Sequence, residues 1–216
     1  MITDERTAAY IDSLSDGNTP FLDELEKWCI KENIPIIRRS MQSLLKFILK
    51  SHKPKRILEV GTAVGFSAIL MAEYSPGDAH ITTIEKYEKR IPIAKENFKK
   101  SGYDGKITFI ADDAAAVLKA LNENHEKYDL IFMDAAKGQY MNFFEDVMGL
   151  MEKGSILISD NILQDGDIIQ SRFAITRRNR TIHARMREYL RVLTKDKRLA
   201  TTLLPVGDGV ALSVSV

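Results

Sequence analysis

Residues 128–134 read Tyr-Asp-Leu-Ile-Phe-Met-Asp, and residues 154–161 read Gly-Ser-Ile-Leu-Ile-Ser-Asp-Asn. Both are apolar runs that stop at a polar residue, a pattern typical of strands in a parallel sheet covered on both faces. Ligands bind at the carboxyl ends of such strands. We therefore expect Asp134, Asp160 and Asn161 to meet over one crevice, where two carboxylates and a carboxamide would suit Mg²⁺. The alternative is that these residues cap helices.

The rest of the chain alternates strands and helices around these two runs. Apolar runs at 56–60, 80–84, 107–110, 130–133 and 155–159 predict parallel strands, with helical periodicity between them. Runs at 200–204 and 210–216 predict a terminal antiparallel hairpin, and residues 3–14, 20–32 and 40–50 predict helices, the last with Ser40 as N-cap. The fold class expected is α/β: a Rossmann-like, doubly wound, mostly parallel seven-stranded sheet with a C-terminal antiparallel hairpin and extra N-terminal helices.

Length and composition indicate one globular domain. The 216 residues are 44% hydrophobic, enough for one large core. We expect a single domain over residues 1–216, with N-terminal helices in 1–52 and the Rossmann-like core in 53–216. The sequence has neither the ~20-residue apolar run of a membrane span nor a signal-peptide pattern. The single cysteine, Cys29, fits a reducing compartment, so we expect a cytoplasmic protein.

Charge is distributed unevenly along the chain. Between Gln170 and Arg198 there are ten Lys and Arg residues and only two acidic ones, although the whole chain has a net charge of +1. Such a basic segment is typical of a protein that binds a polyanion. A solvated helix face would explain the same charges.

The ends of the first three predicted strands, which precede the basic segment, predict a nucleoside site. The first strand leads into a turn with glycines at 61 and 65, and Glu85 and Asp112-Asp113 follow the next two strands. This spacing differs from the Gly-x-Gly-x-x-Gly of a dinucleotide site, and Glu59 would repel a pyrophosphate. Acidic side chains in these positions could hold a ribose and an adenine, so S-adenosylmethionine is the predicted ligand. Each acid alone could instead be a cap or a surface charge.

Three motifs in this order resemble the cation-dependent O-methyltransferases, which include catechol and caffeoyl-CoA O-methyltransferases. They are residues 57–67 (Ile-Leu-Glu-Val-Gly-Thr-Ala-Val-Gly-Phe-Ser), 133–137 (Met-Asp-Ala-Ala-Lys) and 159–161 (Ser-Asp-Asn). The resemblance runs from about residue 33 to the C-terminus. It implies an S-adenosylmethionine-dependent O-methyltransferase with Mg²⁺ held by Asp134, Asp160 and Asn161.

The resemblance also assigns roles to single residues. It implies that Lys137 is the general base and that Asp134 takes part in catalysis beside it. The implied cofactor-binding residues are Ile37, Glu59, Gly61, Ser67, Glu85, Asp112, Asp113 and Asp134.

Within this family the basic segment resembles that of bacterial tRNA 5-hydroxyuridine methyltransferases. The implied reaction converts 5-hydroxyuridine at the tRNA wobble position to 5-methoxyuridine, with the anticodon loop as partner. Proteins usually read RNA through unstacked bases, and an anticodon loop presents such bases. The candidate phosphate contacts are Arg177, Arg178, Arg180, Arg185 and Arg187. The alternatives are a small catechol-like or hydroxylated aromatic acceptor, a nicotinamide-dependent oxidoreductase and a non-catalytic RNA-binding module. The resemblance further suggests a homodimer, for which helices near Trp28 could supply the interface.

Overall fold

The structure is a computed structural model that describes residues 5–15, 17–171 and 173–216, apart from the side chains of Glu5 and Asp165. The predicted helix start at Thr3 and Arg172 of the basic segment lie outside the described residues. Contacts divide the chain into two compact units, one that ends at Ala114 and one from Ala115 to Val216. That the chain is one domain stays a prediction.

The first unit contains three helices followed by alternating strands and helices. Its helices are α1 (Glu5–Ser13), α2 (Pro20–Lys31), α3 (Arg39–His52), α4 (Phe66–Tyr74) and α5 (Ile91–Ser101), and its strands are β1 (Arg56–Val60), β2 (His80–Ile84) and β3 (Ile107–Ile110). β1 pairs with β2 and β2 with β3, both in parallel. Because β1 and β2 are buried beyond their first residue, these strands form the interior of the unit.

The second unit continues the alternation and then ends in a hairpin. Its elements are α6 (Ala114–Glu123), β4 (Tyr128–Met133), α7 (Tyr140–Gly149), β5 (Met151–Ser159), α8 (Arg180–Lys195), β6 (Leu199–Leu204) and β7 (Val210–Ser215), with short 3₁₀ helices at Lys137–Gln139 and Gln164–Ile169. β4 and β5 are parallel, and β7 is antiparallel to both β5 and β6. The strand order of the sheet is β3-β2-β1-β4-β5-β7-β6. The predicted fold class is therefore confirmed, including the terminal hairpin and the N-terminal helices.

Most predicted boundaries agree with the structure to within two residues, and the exceptions have local causes. Helix α3 begins at Arg39 and its N-cap is Arg38, which makes no side-chain capping bond, so the prediction of Ser40 as N-cap is wrong. β5 begins at Met151, four residues before the predicted start, although the added residues are partly polar. Next to them the Ser155 hydroxyl accepts the Glu152 amide at 2.9 Å and donates to the Tyr128 carbonyl of β4 at 2.8 Å. Among the described residues, no helix is long and apolar enough to cross a membrane.

Candidate active site

Asp134 and Asp160 follow the carboxyl ends of two adjacent parallel strands. Met133 on β4 lies opposite Ser159 on β5, and the Asp160 amide donates to the Met133 carbonyl at 3.0 Å. Asp160 is 2% exposed. Burial first, and then the nearby negative charges of Asp134 and Asp208, raise the pKa of its carboxyl to about 7, while the Asn161 amide bond to Oδ1 at 2.7 Å opposes the shift. The structure thus brings together the two acids predicted as metal ligands.

Helix capping does not explain these residues. The residues that precede the first helical turns beyond β4 and β5 are Ala136, Gln139 and Leu163. Asn161 has a φ of +58°, a left-handed conformation that asparagine tolerates better than most residues. The capping alternative is therefore wrong for Asp134, Asp160 and Asn161.

The chemistry of these residues fits a divalent cation. Two carboxylates whose charges repel each other would be relieved by a cation between them, and Asn161 adds a neutral oxygen. Within residues 5–15, 17–171 and 173–216, no group of three or more His, Cys, Asp or Glu forms a metal site. A site here would therefore depend on the carboxamide as third protein ligand, and Mg²⁺ stays a prediction.

A buried tyrosine connects the two strand ends that carry the acids. The Tyr140 hydroxyl lies 3.0 Å from the Met133 carbonyl and 2.9 Å from the Asp160 carbonyl, within donating distance of both. From α8, the Tyr189 hydroxyl lies 2.6 Å from Ser159 Oγ. The two tyrosine rings pack edge to face with centroids 5.3 Å apart. These contacts hold the ends of β4 and β5, which Asp134 and Asp160 follow.

Lys137 opens the 3₁₀ helix that follows β4, and it pairs with a residue that sequence reasoning missed. Its Nζ lies 3.3 Å from Oδ2 of Asp208, whose side chain is 4% exposed. Asp208 lies in the turn between β6 and β7, and its carbonyl accepts the Leu163 amide at 3.0 Å. The sequence showed residues 205–209 only as a hairpin turn, and one acid among the glycines was the available signal.

The predicted cofactor residues of the first unit surround the turn after β1. Gly61 has a φ of +109° and Gly65 a φ of +92°, conformations that favour glycine. A Cβ on Gly65 would lie 2.6 Å from the Phe98 ring. Ser67 is buried in the first turn of α4, as expected for a helix that starts at this loop. These positive-φ glycines fit the turn of the predicted S-adenosylmethionine site, whereas the contact with Phe98 shows only that Gly65 packs against α5.

Three acids predicted to bind the cofactor make hydrogen bonds or ion pairs within the first unit. Glu85 accepts the Ala63 amide at 2.9 Å and the Tyr87 amide at 2.8 Å, so its carboxylate joins the end of β2 to the glycine turn. Glu59 is fully buried and accepts a hydrogen bond from the Thr83 hydroxyl. Asp113 is half-buried and pairs with Lys86 at 3.0 Å.

Two further predicted cofactor residues differ in exposure. Asp112 is exposed, and its Oδ1 accepts the Asp113 amide at 2.6 Å. Ile37 is buried, and its carbonyl accepts a bond from Gln42 Nε2 at 3.0 Å. The cofactor-binding roles of these residues stay predictions.

The five candidate RNA contacts fall into two groups. Arg177 and Arg178 are exposed in the segment before α8 and make no side-chain hydrogen bond or ion pair within the part of the chain that the structure describes. The others each donate to a backbone carbonyl: Arg180 to Ile175 at 3.2 Å, Arg185 to Gly138 at 3.1 Å and Arg187 to Gln170 at 3.5 Å. The first pair is therefore the better placed for phosphate.

Comparison with known proteins gives a consistent family. A family model described as O-methyltransferase matches residues 12–216. The caffeoyl-CoA O-methyltransferase of Stellaria longipes is 32% identical over 170 residues, which cover 77% of this chain and 70% of that protein. A candidate caffeoyl-CoA O-methyltransferase from Staphylococcus aureus superposes with a TM-score of 0.89 at 30% identity, over 99% of this chain and 100% of that one.

A further structure gives the same family with a bound product. The methyltransferase of Podospora anserina, solved with S-adenosylhomocysteine bound, superposes with a TM-score of 0.87 at 29% identity, over 98% of this chain and 94% of that one. The matched family model spans almost the whole chain. The chain therefore belongs to the family of S-adenosylmethionine-dependent O-methyltransferases.

Proposed function

We propose that this enzyme transfers a methyl group from S-adenosylmethionine to the 5-hydroxyl of 5-hydroxyuridine at the wobble position of tRNA, giving 5-methoxyuridine. The observation that carries the proposal is the contact between the basic helix α8 and the end of β5, which Asp160 follows. Tyr189 of α8 bonds Ser159, the residue before Asp160, and Arg177 and Arg178 are exposed just before this helix. A polyanionic substrate bound there would lie beside the candidate metal ligands.

The proposed roles follow from the residues of each unit. S-adenosylmethionine supplies a methyl group on a sulfonium; the S–CH₃ bond breaks, an O–CH₃ bond forms, and the hydroxyl proton leaves. Asp134, Asp160 and Asn161 would hold Mg²⁺, whose chemistry there is to lower the pKa of a coordinated hydroxyl. Lys137 Nζ would take the proton. The glycine turn and Glu85 would hold the donor, and positioning of bound reactants is the usual source of rate in a direct transfer.

Contacts to the RNA would come mainly from arginine. The guanidinium group suits phosphate and can stack on an unpaired base. Exposed Phe173, 86% accessible and within the same segment, offers a further stacking surface. A tRNA substrate would also place the enzyme in the cytoplasm.

The second candidate is a small hydroxylated aromatic acceptor or its CoA ester. It is favoured by the caffeoyl-CoA O-methyltransferases among the relatives. A vicinal diol presents the same pair of neighbouring oxygens as the 5-hydroxyl and 4-carbonyl of the modified uridine. The acceptors therefore differ in what lies outside the chelating pair: the arginines of residues 177–178 distinguish RNA from a free diol, whereas a CoA ester also carries phosphates and is distinguished by its turnover.

The test compares the two acceptor classes directly. Labelled S-adenosylmethionine is incubated with an anticodon stem-loop carrying 5-hydroxyuridine, with caffeoyl-CoA and with catechol. We expect the stem-loop to be methylated most efficiently, and Arg177→Ala/Arg178→Ala to weaken that reaction while leaving catechol methylation unchanged. We also expect tRNA from cells that lack the enzyme to accumulate 5-hydroxyuridine. Efficient turnover of the small acceptors with an inert stem-loop would establish the second candidate instead.

We also propose that the enzyme is a homodimer joined through its N-terminal helices. Large apolar side chains are exposed there, among them Tyr10, Ile30 and Phe47, each 65–68% accessible, and Trp28 is 37% accessible. Exposed apolar side chains that come together on one surface are typical of interfaces, which is the arrangement proposed for these helices. Light scattering should give twice the 24.4 kDa chain mass, and Phe47→Glu should reduce it to one chain.

A further inference from the structure

The turn that carries Lys137 is held from two sides by residues far away in the sequence. Nζ of Lys137 lies 3.3 Å from Oδ2 of Asp208 in the β6–β7 turn. Nη1 of Arg185 on α8 donates to the carbonyl of Gly138 at 3.1 Å. The side chain of Lys137 and the backbone of its neighbour are therefore each fixed by a different element.

Asp208 is a firm anchor because it is itself immobilised. Its side chain is 4% exposed, whereas that of Lys137 is 34% exposed. A buried carboxylate is costly without polar partners, so the pair resists separation more than a surface ion pair does. Backbone bonds from Ile162 to Gly209 and from Leu163 to Asp208, both 3.0 Å, connect this turn to the segment after Asn161.

Arg185 is the matching anchor on the other side. A Cβ on Gly138 would lie 3.7 Å from Arg185 Nη1 and 4.0 Å from Ile182 Cγ1, so α8 lies directly against the turn. The planar guanidinium donates in a fixed direction, which suits it to hold a carbonyl. Its position on a basic helix would otherwise assign it to phosphate contact.

We infer that Arg185 and Asp208 are positioning residues that hold Lys137 Nζ in place for the methyl transfer. The inference rests on the proposed function, in which Lys137 Nζ takes the hydroxyl proton. It also separates Arg185 from Arg177 and Arg178, because loss of a phosphate contact weakens binding whereas loss of a positioning contact lowers the rate of the bound complex.

The test measures binding and saturated single-turnover rate separately on the 5-hydroxyuridine stem-loop. Arg185→Ala should lower the saturated rate between ~10-fold and ~100-fold, since a displacement of about 1 Å costs rates of this order. Its Kd for the stem-loop should stay within about twofold of that of Arg191→Ala, an exposed arginine of the same helix with no side-chain hydrogen bond or ion pair in the described residues. Arg185→Lys should recover most of the rate. Equal rates for Arg185→Ala and Arg191→Ala, or a deficit that disappears at saturating RNA, would overturn the inference.

A second pair of variants tests whether both anchors act through the lysine. Asp208→Asn should lower the saturated rate as Arg185→Ala does, and in a Lys137→Met background Arg185→Ala should cause no further loss. Full activity of Lys137→Met, or an undiminished effect of Arg185→Ala in that background, would contradict the inference. Failure of the proposed acceptor is recognised separately, because the wild-type enzyme would then leave the stem-loop unmethylated. The same variants would in that case be compared at saturating catechol.

Discussion

Glu26 and Asp160 are buried carboxylates with opposite electrostatic surroundings. Glu26, 4% exposed on α2, accepts bonds from Arg39 Nη2 at 2.9 Å and Gln42 Nε2 at 3.1 Å. Asp160, 2% exposed after β5, faces the charges of Asp134 and Asp208, and its pKa rises to about 7. In the first case the fold supplies the compensating cation, and in the second it adds further acids. Burial of a carboxylate is therefore structural at Glu26 and points to a ligand site at Asp160.

The largest expected effect is loss of catalysis on removing the charge of Asp160. Asp160→Asn should lower methyl transfer at least ~100-fold, because it removes one of the two negative charges that hold the proposed cation, whose contribution is several kcal/mol. Steady-state transfer of labelled methyl measures this. Glu26→Gln is the matched control and should stay within about threefold of wild type. Similar losses in both variants would remove the distinction between the two acids.

The ionisation of Asp160 should also make the stability of the enzyme depend on pH. The pKa of Asp160 is about 7 in the fold against an ordinary value of 3.8, so the folded state binds more protons between these values. The metal-free enzyme should therefore lose stability as pH rises from 4 to 7, by about 2–4 kcal/mol for this group. Asp160→Asn should abolish that loss and unfold at higher denaturant concentration than wild type at pH 8. A variant that is less stable than wild type at pH 8 would contradict the electrostatic assignment.

Removing the charge of Glu26 should have the opposite sign. Glu26→Gln breaks the contact with Arg39 and should lower the free energy of unfolding by about 1–3 kcal/mol at pH 7. The lower end is expected because the Arg39 side chain is 57% exposed and is screened by solvent. Urea denaturation with Arg39→Ala as the partner variant gives the coupling between the two residues. Increased stability of Glu26→Gln would show that the pair costs more than it contributes.

The smallest expected effect concerns Cys29, which lies near Glu26. Burial, and to a lesser extent the Glu26 charge, raise the pKa of its thiol to about 11. Glu26→Gln should lower that pKa by less than about one pH unit, because burial remains. The difference in ultraviolet absorbance between the enzyme and its Cys29→Ser variant during a pH titration reports it, because the ionisation of the tyrosines cancels. A pKa that does not change would mean that the charge of Glu26 is fully neutralised by Arg39.

Local sequence patterns predicted the strands well but could not predict contacts between distant residues. β1, β2 and β3 have their predicted bounds because each is a short apolar run with clear ends. Asp134 and Asp160 could be found because parallel strands end at the same edge of a sheet. Asp208 could not, since its pairing with Lys137 spans 71 residues and depends on how the last hairpin packs. The hydrogen bond from Arg185 to Gly138 could not be predicted for the same reason. The basic character of its segment, and the resemblance of that segment, placed Arg185 among the RNA contacts.

The central claim is that the acids after β4 and β5 form the catalytic centre of an RNA methylation. The most direct test is methyl transfer to a 5-hydroxyuridine stem-loop by wild type and Asp160→Asn, each with Mg²⁺ and with EDTA. We expect activity only in the wild-type enzyme with Mg²⁺, and we expect added Mg²⁺ to restore it after EDTA. Asp160→Asn that methylates the stem-loop at the wild-type rate in EDTA would contradict the account.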